Sequence, residues 1–183
     1  MEKEIGLIIC GAGYMGKNAL ESIPILISSL KQQNVTIRLT FIIEPDFTKE
    51  KYDAIKKACK PLFYNSDPKC IPPIFQQSGH LLAFLDQLRP CLNKMTFIVY
   101  DASPTDKHFD NLTHFYNFSQ DFPNIVYMGE KPLFIDPKNN EYAEKNLPSH
   151  FLSTANCCFF SHVTTWFGKL KGGLGHYLHQ YFH

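Results

Sequence analysis

The stretch Ile5-Gly-Leu-Ile-Ile-Cys-Gly-Ala-Gly-Tyr-Met-Gly16 decides the fold. A short, continuously apolar run, Ile5 to Cys10, is joined to the spacing G-x-G-x-x-G and then opens into a helical pattern. The run is too short to cross a bilayer and shows no alternation, which suits a strand buried on both faces of a parallel sheet. The glycines have separate tasks in such a turn. Gly11 allows the tight turn, Gly13 lets backbone approach a pyrophosphate without a Cβ in the way, and Gly16 lets the next helix pack closely on the strand. That helix would aim its first N–H groups at the phosphates. A methyltransferase loop for S-adenosylmethionine has similar glycines, so the turn alone leaves that alternative open.

Outward from this turn the chain alternates strand and helix. Ala19, Leu20, Ile23, Leu26, Ile27 and Leu30 recur at helical spacing as far as about Gln33, with an interruption expected at Pro24. Val35 to Ile43 is β-branched and ends in Glu44-Pro45-Asp46. A carboxylate at the tip of the second strand accepts hydrogen bonds from adenosine ribose hydroxyls and repels a 2′-phosphate, so Glu44 argues for NAD over NADP. Lys49 and Lys51 stand nearby and could offset a phosphate's charge. Phe47 to Lys60 has helical composition, Pro61 to Tyr64 is a candidate third strand, and Asn65 to Ser78, with three prolines, reads as a loop.

His80 to Leu92 is amphipathic, with Leu81, Leu82, Leu85 and Leu88 on one side. Met95 to Tyr100 forms a fourth strand that runs into Asp101. His108 to Phe118 can form a helix, and Asn124 to Met128 a fifth strand. Asp101 is a candidate helix-capping acid or cofactor contact. The expected class is α/β, a doubly wound parallel sheet, in which ligands sit beyond the carboxyl ends of the strands. Gly11 to Gly16, Glu44, Ser103 to His108 and Glu130 to Pro132 all fall at those ends.

Composition narrows the function. The net charge is +1, and Arg38 and Arg89 are the only arginines, so no basic field exists to hold nucleic acid. No apolar stretch has the length of a membrane span or a signal-peptide core, and the expected location is the cytoplasm. The six cysteines form no C-x-x-C pair and read as reduced thiols. His176, His179 and His183 have helical spacing, but no metal site is assigned to them.

Three motifs resemble the glucose-fructose oxidoreductase and inositol dehydrogenase family, Gfo/Idh/MocA. Gly11-Ala-Gly-Tyr-Met-Gly16 matches its dinucleotide turn, Ser103-Pro-Thr-Asp-Lys-His108 is similar to its Pro-Thr-x-x-His segment, and Glu130-Lys-Pro132 to its Glu-Lys-Pro signature. The likeness covers residues 5–133. It implies a Rossmann domain over 1–133 whose cofactor-binding residues are Gly11, Gly13, Tyr14, Met15, Gly16, Glu44, Ser103, Pro104, His108 and Glu130. It also implies Lys131 as the catalytic group, a proton-handling or substrate-orienting cation, which a nearby nicotinamide cation would shift to a lower pKa.

The implied activity is NAD(P)-dependent hydride transfer, with NAD favoured over NADP, to or from a sugar, polyol or related alcohol. Residues 134–183 then open a second, α+β substrate domain, to which Lys171-Gly-Gly-Leu-Gly-His176 is similar. Family members continue well beyond this point and assemble into oligomers through that domain, so the expectation here is a truncated chain. No aspartate follows Asp136, and the family's Asp-x-x-x-His pair has no counterpart. A nucleotide-binding fragment without turnover is the second reading.

Overall fold

The computed structural model describes residues 3–31, 34–59, 72–92, 95–121, 124–129 and 136–147. Five strands form one parallel sheet: β1 Lys3–Cys10, β2 Val35–Ile43, β3 Ile74–Phe75, β4 Thr96–Asp101 and β5 Ile125–Gly129. They lie in the order β3-β2-β1-β4-β5, with every neighbouring pair parallel. The helices are α1 Tyr14–Lys31, α2 Lys49–Cys59, α3 Ser78–Gln87, α4 Arg89–Leu92, α5 Thr105–Ser119 and α6 Pro137–Asn146. This is the doubly wound, Rossmann-type arrangement the strand–helix alternation predicts. Its topological switch point lies between β1 and β4, where the chain, having built outward to β3, crosses to the other side.

β1 is central because its residues are apolar on both faces of the pleat. Ile5, Leu7 and Ile9 enter one core with Ala19, Leu20, Ile23 and Leu30 of α1 and Ile55 of α2. Ile8 and Cys10 point the other way, into a second core with Leu81 and Leu85 of α3 and Leu112 and Phe115 of α5. Gly6 belongs to that second face. A Cβ there would lie 2.2 Å from Cε1 of the Phe97 ring, so the missing side chain makes room for a buried aromatic on the neighbouring strand. The second core extends to Ala143 and Leu147 at the α6 end, where Tyr142 meets Phe109 of α5 edge-on, ring centroids 5.5 Å apart.

Several elements differ from their expected bounds. The third strand is Ile74–Phe75, inside the stretch read as a loop, whereas Pro61 to Tyr64 lies outside the described residues. Backbone bonds fix this short edge: Ile42 N donates to Pro73 O at 3.0 Å and Glu44 N to Phe75 O at 2.8 Å. α1 runs through Pro24 as one helix, without the interruption expected there. Packing of Ile23, Ile27 and Leu30 on the sheet outweighs the single helical donor that proline removes. The predicted helix over 80–92 divides at Leu88 into α3 and α4, with Leu88 N donating to Leu85 O at 3.1 Å in a tighter final turn. α5 starts three residues before His108, at Thr105. Pro104 occupies its N-cap with extended ψ, and Lys107 N donates to Pro104 O at 2.8 Å.

Among the described residues no helix is long and apolar enough to cross a membrane. His176, His179 and His183 lie outside those residues.

Candidate functional site at the C-terminal edge of the sheet

The carboxyl ends of three strands, β2, β1 and β4, are laced together at the switch point. Gly11 N donates to Ile43 O of β2 at 2.7 Å, and Ala102 N donates back to Cys10 O of β1 at 2.8 Å. Gly11 has φ +85°, a conformation that a Cβ opposes, and an added Cβ would also meet Ala102 O at 2.8 Å. Gly16 is tighter still. A Cβ on it would stand 1.7 Å from Gly11 O, so α1 can lie this close to the turn only with glycine there. Gly13 differs: nothing lies within 4 Å of the position a Cβ would take. It is exposed, and its carbonyl accepts the first bond of α1, from Lys17 N at 2.9 Å.

The N–H groups of Tyr14, Met15 and Gly16 therefore fall in the first helical turn, ahead of the bond from Lys17 N to Gly13 O, where helix N–H groups point out of the helix end. No acidic side chain of α1 stands in that turn. The positive end of the helix dipole is thus open to an outside anion. Tyr14 is strongly exposed at the mouth of the turn.

Glu44 sits just past β2 and is buried. Its Oε2 accepts from Ala12 N at 2.6 Å, inside the glycine turn, and its Oε1 accepts from Asp46 N at 3.1 Å and from Lys51 Nζ at 2.7 Å. Lys51 reaches it because Thr48 caps α2. Thr48 O accepts from Tyr52 N at 2.9 Å and its Oγ1 from Lys51 N at 3.3 Å, which sets the first turn of α2 beside the strand end. Lys51 Nζ is also 3.9 Å from Asp46 Oδ2.

On the other side of the switch point Asp101 ends β4 with no exposure to solvent. It does not cap α5. Its Oδ1 accepts from Ser103 N at 3.0 Å and Ser103 Oγ at 2.5 Å, and its Oδ2 from Asn111 Nδ2 at 2.9 Å and from the Tyr127 hydroxyl. Two donors on each oxygen fill the acceptor capacity of an ionised carboxylate. Tyr127 OH also lies 3.1 Å from His108 O. Burial, and after it the Asp101 charge, pushes the Tyr127 phenol well above its ordinary pKa, and the same two causes raise the buried Cys10 thiol.

His108 is buried, with Nε2 2.7 Å from Ser103 O and 3.8 Å from Asp101 Oδ1. That distance to a carbonyl puts the proton on Nε2. The imidazole thus supports the backbone of Ser103 from beneath. Ser103 is half-buried and Pro104 exposed at the turn.

The glycine turn, Glu44 and the Ser103–Pro104 turn are therefore brought to one edge, while Glu130 and Lys131 lie outside the described residues. Sequence reasoning missed the hub role of Asp101 and its partners Asn111 and Tyr127, and the ion pair of Lys51 with Glu44. Two signals could have pointed to the hub. A carboxylate closes an otherwise apolar strand, and a tyrosine in an apolar strand needs a partner for its hydroxyl.

Strand order, switch point and glycine turn together define a Rossmann-type α/β domain. The sequence matches no family model, and no curated protein matches it. Among solved structures it is similar to the WlbA (WbpB) dehydrogenase from Thermus thermophilus, crystallised in complex with NAD and alpha-ketoglutarate. Identity is 16% and the TM-score 0.47, over 76% of this chain and 37% of that one. The chain thus spans little more than a third of that neighbour's length, and the fold assignment stands on the topology alone.

Proposed function

We propose that the chain holds a nicotinamide dinucleotide, NAD in preference to NADP, across the carboxyl edge of its sheet, and serves hydride transfer to or from a sugar, polyol or related alcohol. The observation that carries this reading is the bond from Ala12 N to Glu44 Oε2, which fixes a buried carboxylate against the glycine turn. A ribose diol beside that turn would donate to Glu44, and a 2′-phosphate would meet its charge. The open space over Gly13 and the uncompensated start of α1 fit a pyrophosphate. Tyr14 and Met15 would flank it. Ser103 and Pro104 would border the nicotinamide end, with Asp101 and His108 positioning their turn from beneath.

The bound dinucleotide supplies the hydride acceptor or donor. Lys131 is proposed as the group that takes or returns the alcohol proton, with Glu130 beside it, by the resemblance of Glu130-Lys-Pro132 to the Gfo/Idh/MocA signature. A cytoplasmic location belongs to the same reading.

Calorimetric and thermal-shift titration with NAD⁺, NADH and NADP⁺ tests it. A ligand that binds only the folded form at a hundred times its dissociation constant adds about 2.7 kcal/mol of stability. Stabilisation by NAD(H), lost in Glu44→Ala and weaker for NADP⁺, is the expected result. A folded protein indifferent to all three would end the dinucleotide reading. Binding without NADH formation from any polyol would leave nucleotide binding and remove the reaction.

A further inference from the structure

We infer that Lys51 is a specificity-determining residue of this site, a built-in counter-ion that weakens the exclusion of NADP by Glu44. The inference rests on the dinucleotide reading above. A carboxylate at the end of β2 discriminates against a 2′-phosphate chiefly by charge. Here that carboxylate is not a lone charge: Lys51 Nζ is 2.7 Å from Glu44 Oε1.

The geometry of the pair favours this role over a simple structural tie. The Glu44 side chain is 5% exposed and already held in place by Ala12 N and Asp46 N, so it needs no lysine to orient it. The Lys51 side chain is 33% exposed, so the lysine is the solvent-accessible member of the pair. An ammonium carries three hydrogens that rotate freely to new acceptors, so one can stay on Glu44 while others turn to phosphate oxygens.

The remaining charges set the balance. Asp46, largely exposed, lies 3.9 Å from the same ammonium, and Lys49 is exposed at the start of the same helix. Glu44 and Asp46 together outweigh Lys51, which keeps NAD the better ligand, but the lysine cancels the charge nearest the ribose. The site therefore accepts NADP⁺ as the weaker of two cofactors instead of rejecting it.

Titration of the full chain with NAD⁺ and NADP⁺, wild type against Lys51→Met and Lys51→Arg, tests the inference, with circular dichroism confirming the fold of each variant. Loss of one ammonium–phosphate contact should weaken NADP⁺ about tenfold in K51M while NAD⁺ changes by less than about twofold. K51R, which keeps the charge, should hold the wild-type ratio. Lys51→Gln replaces K51M if the latter does not fold. An unchanged NADP⁺/NAD⁺ ratio in a variant that still binds NAD⁺ overturns the inference. Failure of the folded wild type to bind either nucleotide overturns the dinucleotide reading and the role of Lys51 with it.

Discussion

Tyr127→Phe tests the buried polar hub beneath the site by removing one oxygen and little else. The ring sits in the second core with no solvent exposure, its centroid 6.2 Å from that of Phe115, and phenylalanine would keep this packing. What disappears is the hydroxyl that donates to Asp101 Oδ2, leaving that oxygen with Asn111 Nδ2 alone. A hydrogen bond to a charged group contributes about 1.5–3 kcal/mol, so the expected loss at neutral pH is about 2 kcal/mol. At about 2–4 °C per kcal/mol, the melting temperature should fall by about 4–8 °C.

The sign of the pH dependence gives a second check. Burial first, and Asp101 next, hold the Tyr127 phenol well above its ordinary pKa, so the folded chain keeps a proton that the unfolded chain releases near pH 10. The stability this confers is complete below that pH and declines above it by about 1.36 kcal/mol per pH unit. Y127F has no such proton. The gap between wild type and variant should therefore narrow by about 1.4 kcal/mol between neutral pH and about pH 11. Cys10, raised by the same causes, adds an alkaline decline to both proteins and cancels in the difference. Urea unfolding from about pH 7 to about pH 11, with unchanged m-values, is the assay. A gap below about 0.5 kcal/mol at neutral pH, or one that stays flat to pH 11, would refute the account of the hub.

The glycines give two predictions of opposite kind. Gly16→Ala places a methyl 1.7 Å from Gly11 O, so α1 must move off the turn; chemical denaturation should show a loss of about 3 kcal/mol or more. A loss under about 1 kcal/mol would mean that the helix is not held against the turn in this way. Gly13→Ala meets nothing within 4 Å, so its melting curve should stay within about 0.5–1 kcal/mol of wild type while NAD⁺ binding weakens about tenfold or more. Unaltered binding in G13A would remove Gly13 from the proposed phosphate contact.

The parts of the fold legible in the sequence are those carried by residues close together in the chain. β1, β2, β4 and β5 announce themselves as apolar runs, and the glycine turn is a local motif in which Gly11 takes the expected conformation and Gly16 the expected close contact. β3 was not legible because a strand of two residues has no periodicity. It exists only because the edge of β2 offers bonds to Pro73 and Phe75, while Pro61 to Tyr64 has the stronger strand composition. The continuation of α1 past Pro24 is likewise decided by the sheet beneath it. In the site, Glu44 was legible from its place after a strand. Its partners were not, because Ala12 lies 32 residues away and Lys51 acts through the helix phase that Thr48 sets. The Asp101 hub joins residues up to 26 apart, on three elements, and only the topology assembles them.

The central position of β1 bears on how the chain is made. β1 is made before both of its neighbours and pairs with β2, the nearer in sequence, but its other edge waits for β4, which joins Ile5 to Thr96. Until the chain has grown that far, the β1–β2 pair carries an apolar edge with open hydrogen-bonding groups, the kind of surface that recruits other nascent chains. Burying the site's scaffold strand in the middle of the sheet thus leaves the β1–β2 pair in need of shelter during synthesis, and makes closure of β1 onto β4 the step that ends that exposure.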